Sequence, residues 1–128
     1  MGLDREKTIS KAERLLQSGK VQAAVKDLRA LAAAAPSDLA LMNRIGDLLA
    51  RRGRGAEALE YYDRAAAQFA RGGLYPKAIA VGKKSLRVDP DRVETLSRLG
   101  EWYLAQKLPG EARSYLLHAA DQYLAAEQ

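Results

Sequence analysis

Few residues in this chain have the types and spacing that covalent chemistry needs. The single histidine, His118, lies in an LLHAAD run of helical character, where a packed or surface role is expected rather than catalysis. Cysteine is absent, so a disulfide or a Cys-based metal site cannot form, and a lone His does not hold a metal. The stretch RRGRG (Arg51–Gly55) is basic and glycine-rich. It lacks the Gly-Lys-Ser/Thr ending of a phosphate-cradling loop. Asp89 and Asp91 are close carboxylates, but they sit in VDPD, a turn in which they can cap a helix. No Ser/His/Asp set can be assembled. The expectation is no catalytic residue, no cofactor and no metal; the chain does not read as an enzyme.

The chemistry that remains is recognition. Arg51, Arg52 and Arg54 share one turn, with Arg71, Lys77, Lys83, Lys84 and Arg87 farther along. A nucleic-acid surface would interleave stacking aromatics among such charges. Only Tyr75 is near, so nucleic acid is not the expected partner. The net charge of +5 divides as +5 over residues 1–54, +2 over 55–92 and −2 over 93–128. That gradient suits an acidic partner along the front half, or end-to-end contact between copies. Trp102, beside Tyr103, is a candidate interface anchor or a packing residue against helix 75–87.

The elements that would carry these residues are helical. A chain of 128 residues rich in Ala, Leu, Arg, Glu and Lys and poor in Thr, Ile and Val has an all-α composition and can build one sizeable core. Its start, MGLDREKTISK, has no apolar signal segment, and no window approaches the roughly 18 apolar residues of a membrane span. The chain reads as soluble and cytoplasmic. Apolar residues recur at helical spacing (Ile9, Ala12, Leu15, Leu16; Val21, Ala24, Val25, Leu28, Leu31; Met42, Ile45, Leu49). Turn signals divide the chain into helices over 4–18, 20–34, 38–52, 55–72, 75–87, 91–106 and 108–126. Ser37 or Asp38 can cap one of them, and Pro76 and Pro109 suit a first turn. Gly46, Gly82 and Gly100 fall inside helices, where each costs about 1 kcal/mol relative to Ala. Close approach of a neighbouring helix explains them.

The chain also repeats itself. Leu41–Ala70 aligns without a gap on Thr95–Leu124, an offset of 54 residues, pairing Arg44 with Arg98, Gly46 with Gly100, Asp47 with Glu101, Tyr61 with Tyr115, Ala65 with Ala119 and Phe69 with Tyr123. Counted from Arg5, Ala12, Leu15, Gly19, Ala24 and Pro36 fall at the eighth, eleventh, fifteenth, twentieth and thirty-second positions. The pattern recurs from Leu39 (Gly46, Leu49, Gly53, Ala58, Ala65) and from Val93 (Gly100, Tyr103, Ala112, Ala119). It recurs again, out of step, from Leu59 (Ala66, Phe69, Gly73, Ala78, Ser85, Pro90). This joint pattern resembles the tetratricopeptide repeat over nearly the whole chain. It departs from it at Leu31 and Lys107, and in lacking an early Trp.

The resemblance implies an all-α, right-handed superhelical stack of antiparallel hairpins, one domain spanning 1–128 with units at 5–38, 39–72, 59–92 and 93–126. Helix 55–72 would serve two units and introduce a jog, with Ala78 and Gly82 at its contact with helix 75–87. Lys77, Lys83, Lys84 and Arg87 would form a solvated rim. The resemblance further implies a bacterial scaffold that binds another protein's peptide or helix in a concave groove, as front modules of signalling or motility proteins do. The groove positions it assigns include Asn43, Arg44, Asp47 and Arg51 in one unit and Arg98 and Glu101 in another, with Trp102 alongside. Arg44–Asp47 and Arg98–Glu101 could instead be ordinary three-apart ion pairs. Continuing the 54-residue period would place another GLYPKAIAV helix after 108–126. Leu116, Tyr123 and Leu124 would then await either that segment or a second copy, giving a homo-oligomer through the last helix.

Overall fold

The computed structural model describes residues 4–127. Seven helices follow one another among them: α1 (Arg5–Gln17), α2 (Val21–Ala34), α3 (Leu39–Arg51), α4 (Gly55–Arg71), α5 (Tyr75–Val88), α6 (Val93–Ala105) and α7 (Pro109–Ala126). The described residues contain no strand. Antiparallel neighbours stack into a solenoid-like helical repeat whose core runs the length of the molecule, with Leu28, Met42, Ile45, Leu49, Tyr61, Leu96 and Leu99 all but fully buried.

Four turns are built alike. Gly19, Gly53, Gly73 and Lys107 adopt φ of 80, 74, 76 and 61°. The next amides, of Lys20, Arg54, Leu74 and Leu108, donate to the carbonyls of Leu15, Leu49, Phe69 and Tyr103 at 2.8–2.9 Å. A left-handed residue here lets the last helical turn satisfy carbonyls that would otherwise be orphaned. Helices α2 and α5 end differently. Ala35 and Asp89 leave the helix at φ −139° and −140°, and Pro36 and Pro90 then bar continuation. Helix α4 thus ends as α1, α3 and α6 do. It also packs on α5 about as extensively as on α3, whereas α2 touches α3 only lightly. One helix closes two hairpins.

The helical glycines mark the tightest approaches. The Tyr62 ring of α4 lies over Gly46, Leu116 of α7 over Gly100, and Leu99 and Trp102 of α6 over Gly82. Gly82 therefore corrects an expectation, because it serves the α5–α6 contact and not the α4–α5 one. Ala78 is completely buried. A second correction concerns capping. Asp38 does cap α3, accepting from the Leu41 amide at 3.0 Å, but α6 has Arg92 at its N-cap and no side-chain cap. Asp89 and Asp91 do not fill that role. Pro76 and Pro109 sit in the first turns of α5 and α7.

Two outcomes follow from these backbone constraints. Lys107→Gly removes a strained left-handed conformation and should stabilise the fold by about 1 kcal/mol, read as a raised urea midpoint at unchanged slope. Gly46→Ala would bring a Cβ within 2.6 Å of the Tyr62 ring. The expected loss is about 1–2 kcal/mol, despite the better helix propensity of Ala.

Candidate functional site

The sequence-named groove residues fall into three environments. Arg44 turns toward α1, donating to the two Glu6 carboxylate oxygens at 2.7 and 2.8 Å. That hydrogen-bonded clamp is the main reason Glu6 titrates below, and Arg44 above, its ordinary value. Arg5–Asp38 at 2.7 Å and Arg52–Glu13 at 3.7 Å join the same pair of helices. Arg54 is paired with Glu57. Of the basic turn, Arg51 alone lacks an acidic partner among the described residues. Of the basic set named from the sequence, Arg52, Arg54 and Lys84 are thus tied within the fold, whereas Arg51, Arg71, Lys77, Lys83 and Arg87 have no acidic partner among the described residues.

Asn43 and Asp47 face α5. Lys84 Nζ donates to Asn43 Oδ1 at 3.0 Å and to both Asp47 oxygens at 3.0 and 3.1 Å. The Tyr62 hydroxyl donates to Asp47 at 2.7 Å. Burial first, and then this bond to a carboxylate, push the Tyr62 hydroxyl well above its usual value. Lys84 is a tie between helices that are distant in sequence, not part of a solvated rim. Asp47 and Arg51 line an open cleft of about 560 Å³ between α3 and α5, closed by Tyr62, Lys84, Arg87 and Val88.

Arg98, Glu101 and Trp102 belong to a different groove. It consists of two clefts of about 460 and 370 Å³ that share Ala67, Arg71 and Arg98. The α4 side contributes Asp63, Arg64, Ala67, Gln68, Ala70 and Arg71; the α6 side contributes Glu94, Arg98, Glu101, Trp102 and Ala105. Trp102 is 8 % exposed, packed on Gly82 with one edge in the groove. Arg98 pairs with Glu94 at 3.0 Å, and Arg92 grips Asp63 bidentately at 2.7 and 2.8 Å. The three-apart pairs Arg44–Asp47 and Arg98–Glu101 do not form, since each of Arg44, Asp47 and Arg98 has another partner.

The α4 residues were missed at the sequence level although a signal existed. Applied to the unit from Leu59, the same groove positions are Glu60, Asp63, Arg64, Ala67, Ala70 and Arg71, and all but Glu60 line these clefts. On α7, Tyr123 and Leu124 are exposed at 61 % and 62 %, while Leu116 is half used against Gly100. His118 bonds Asp91 at 2.9 Å. No described helix is long and apolar enough to cross a membrane.

The tetratricopeptide repeat family model matches residues 9–72, and the chain belongs to that family. It is accordingly a protein-interaction scaffold of a non-catalytic repeat class. Among solved structures it is similar to a crystal structure of MamA, at 15 % identity over 97 % of this chain and 81 % of that one, with a TM-score of 0.49. It is also similar to the 41-end form of MamA from Desulfovibrio magneticus RS-1, at 16 % identity over 98 % and 78 %, with a TM-score of 0.47. No curated protein matches the chain.

The Lys84 network makes a separable prediction. Lys84→Ala and Asp47→Ala should each cost about 1–2 kcal/mol of stability, and the double variant little more than either alone. Chemical denaturation of the three variants checks it; simple additivity would mean the tie is unimportant.

Proposed function

We propose that the groove between α4 and α6 receives an acidic, partly apolar peptide or helix from another protein. The carrying observation is that Arg64 and Arg71 flank Ala67 along one face of α4 with no acidic partner among the described residues. Arg64 rests only over the Tyr61 ring, at 5.7 Å. Ala67, Ala70, Ala105 and the edge of Trp102 offer an apolar floor between cations, a combination that favours a ligand with carboxylates around small hydrophobic side chains. Arg98 can exchange its Glu94 contact for a ligand carboxylate. Asn43, Arg44 and Asp47 have a supporting role in this reading, because their polar groups are already satisfied internally.

The division into units 5–38, 39–72, 59–92 and 93–126 is part of the same proposal. The unit from Leu59 supplies one wall of the groove and the unit from Val93 the other. The four matching turns support it.

A fluorescent amphipathic peptide rich in Glu and Leu serves as the test ligand. Arg64→Glu with Arg71→Glu should reduce its affinity at least tenfold, whereas Arg51→Glu, in the other cleft, should leave it within about twofold. Equal losses at both sites would place binding elsewhere.

A further inference from the structure

The two copies of the internal repeat differ in what covers them, and the difference identifies a second surface. Helices α3 and α4 are matched by α6 and α7 at 54 residues' distance. In the first copy Tyr62 and Ala66 are buried at 3 % and 2 % exposure, and Phe69 is half-buried. Their repeat mates on α7 are Leu116, Ala120 and Tyr123, all exposed. The burial lost between mates is the footprint of α5 on α4. Two lysines of α5 sign that footprint: Lys77 Nζ lies 5.7 Å from the Phe69 ring centroid and Lys84 Nζ 5.9 Å from that of Tyr62. Lys84 also bonds Asp47. On the second copy the ring is present as Tyr123 and the carboxylate as Glu101, and neither has a cationic partner among the described residues.

We propose that α6 and α7 form an open seat for a basic amphipathic helix supplied by another protein. Its pattern is that of α5: small and apolar residues at the positions of Ala78 and Val81, and two lysines seven residues apart. Seven residues are close to two helical turns, so both lysines fall on one face. The first stacks on Tyr123 and the second pairs with Glu101, while the apolar side chains cover Leu116 and Ala120. The charge of −2 over residues 93–128 favours a basic ligand. This seat meets the groove between α4 and α6 at Glu101, but Tyr123, Leu116 and Ala120 lie outside that groove, and the free arginines there, Arg64 and Arg71, select the opposite charge.

The probe is a labelled peptide with the sequence of residues 73–92 of this chain, titrated against the full-length protein by fluorescence anisotropy. Saturable binding is expected. It should weaken at least tenfold with Tyr123→Asp, an exposed position at which folding is retained, and with Glu101→Lys. A peptide carrying Lys84→Glu should recover affinity for the Glu101→Lys protein, a charge exchange that non-specific adhesion would not reproduce. The Tyr123→Asp loss, at a position outside the groove, separates the seat from groove binding. Absence of saturable binding overturns the proposal. So does binding indifferent to both variants, as exchange with the native α5 would give. Concentration-dependent dimerisation abolished by Tyr123→Asp, without peptide binding, would assign the face to a second copy instead and equally overturn it.

Discussion

Tyr62 lies against Gly46, and the rest of the molecule is arranged around that contact. With no Cβ at Gly46, α3 and α4 approach closely enough for the ring to lie over the backbone. Its hydroxyl then reaches Asp47, and Asp47 in turn receives Lys84 from α5. One aromatic residue thereby couples three helices. The desolvation of its hydroxyl is offset by the bond to Asp47, and that carboxylate is offset by the lysine.

Because α4 is held on both sides, it cannot behave as the second helix of one hairpin only. Its Tyr62 side meets α3 and α5, while its Asp63, Ala67 and Arg71 positions open onto the groove shared with α6. The shift of register from 34 to 20 residues between successive turns has a structural consequence: it brings Arg64 and Arg71 on α4 next to the first helix of the final hairpin. Arg5, Arg44 and Arg52 are held in ion pairs between α1 and α3, so part of the positive charge of the front half is spent within the fold.

The helices and their turns were legible in the sequence because they depend on local chemistry. Pro36, Pro76, Pro90 and Pro109 mark starts and stops, and Gly19, Gly53 and Gly73 announce left-handed turns. Lys107 takes the same conformation without the residue type that signals it, and only its place in the repeat shows what it does. The polar partners were not legible. Arg44 meets Glu6 and Lys84 meets Asp47 across 38 and 37 residues, and no periodicity says which helix edges will face one another. Arg92 shows the same limit: it stands where Asp38 stands in the earlier copy, yet it spends its guanidinium on Asp63 and leaves α6 uncapped. For the groove, counting the out-of-step unit from Leu59 on the same terms as the others would have found the α4 wall.

The central claim is that α4 joins α3 and α5 into one cooperative body. Native-state hydrogen exchange followed residue by residue tests it most directly. The account expects the protected amides of α3, α4 and α5 to share a single opening free energy, lowered together in the Lys84→Ala variant. Exchange of α5 in step with α6 and α7, while α3 and α4 stay protected, would contradict it.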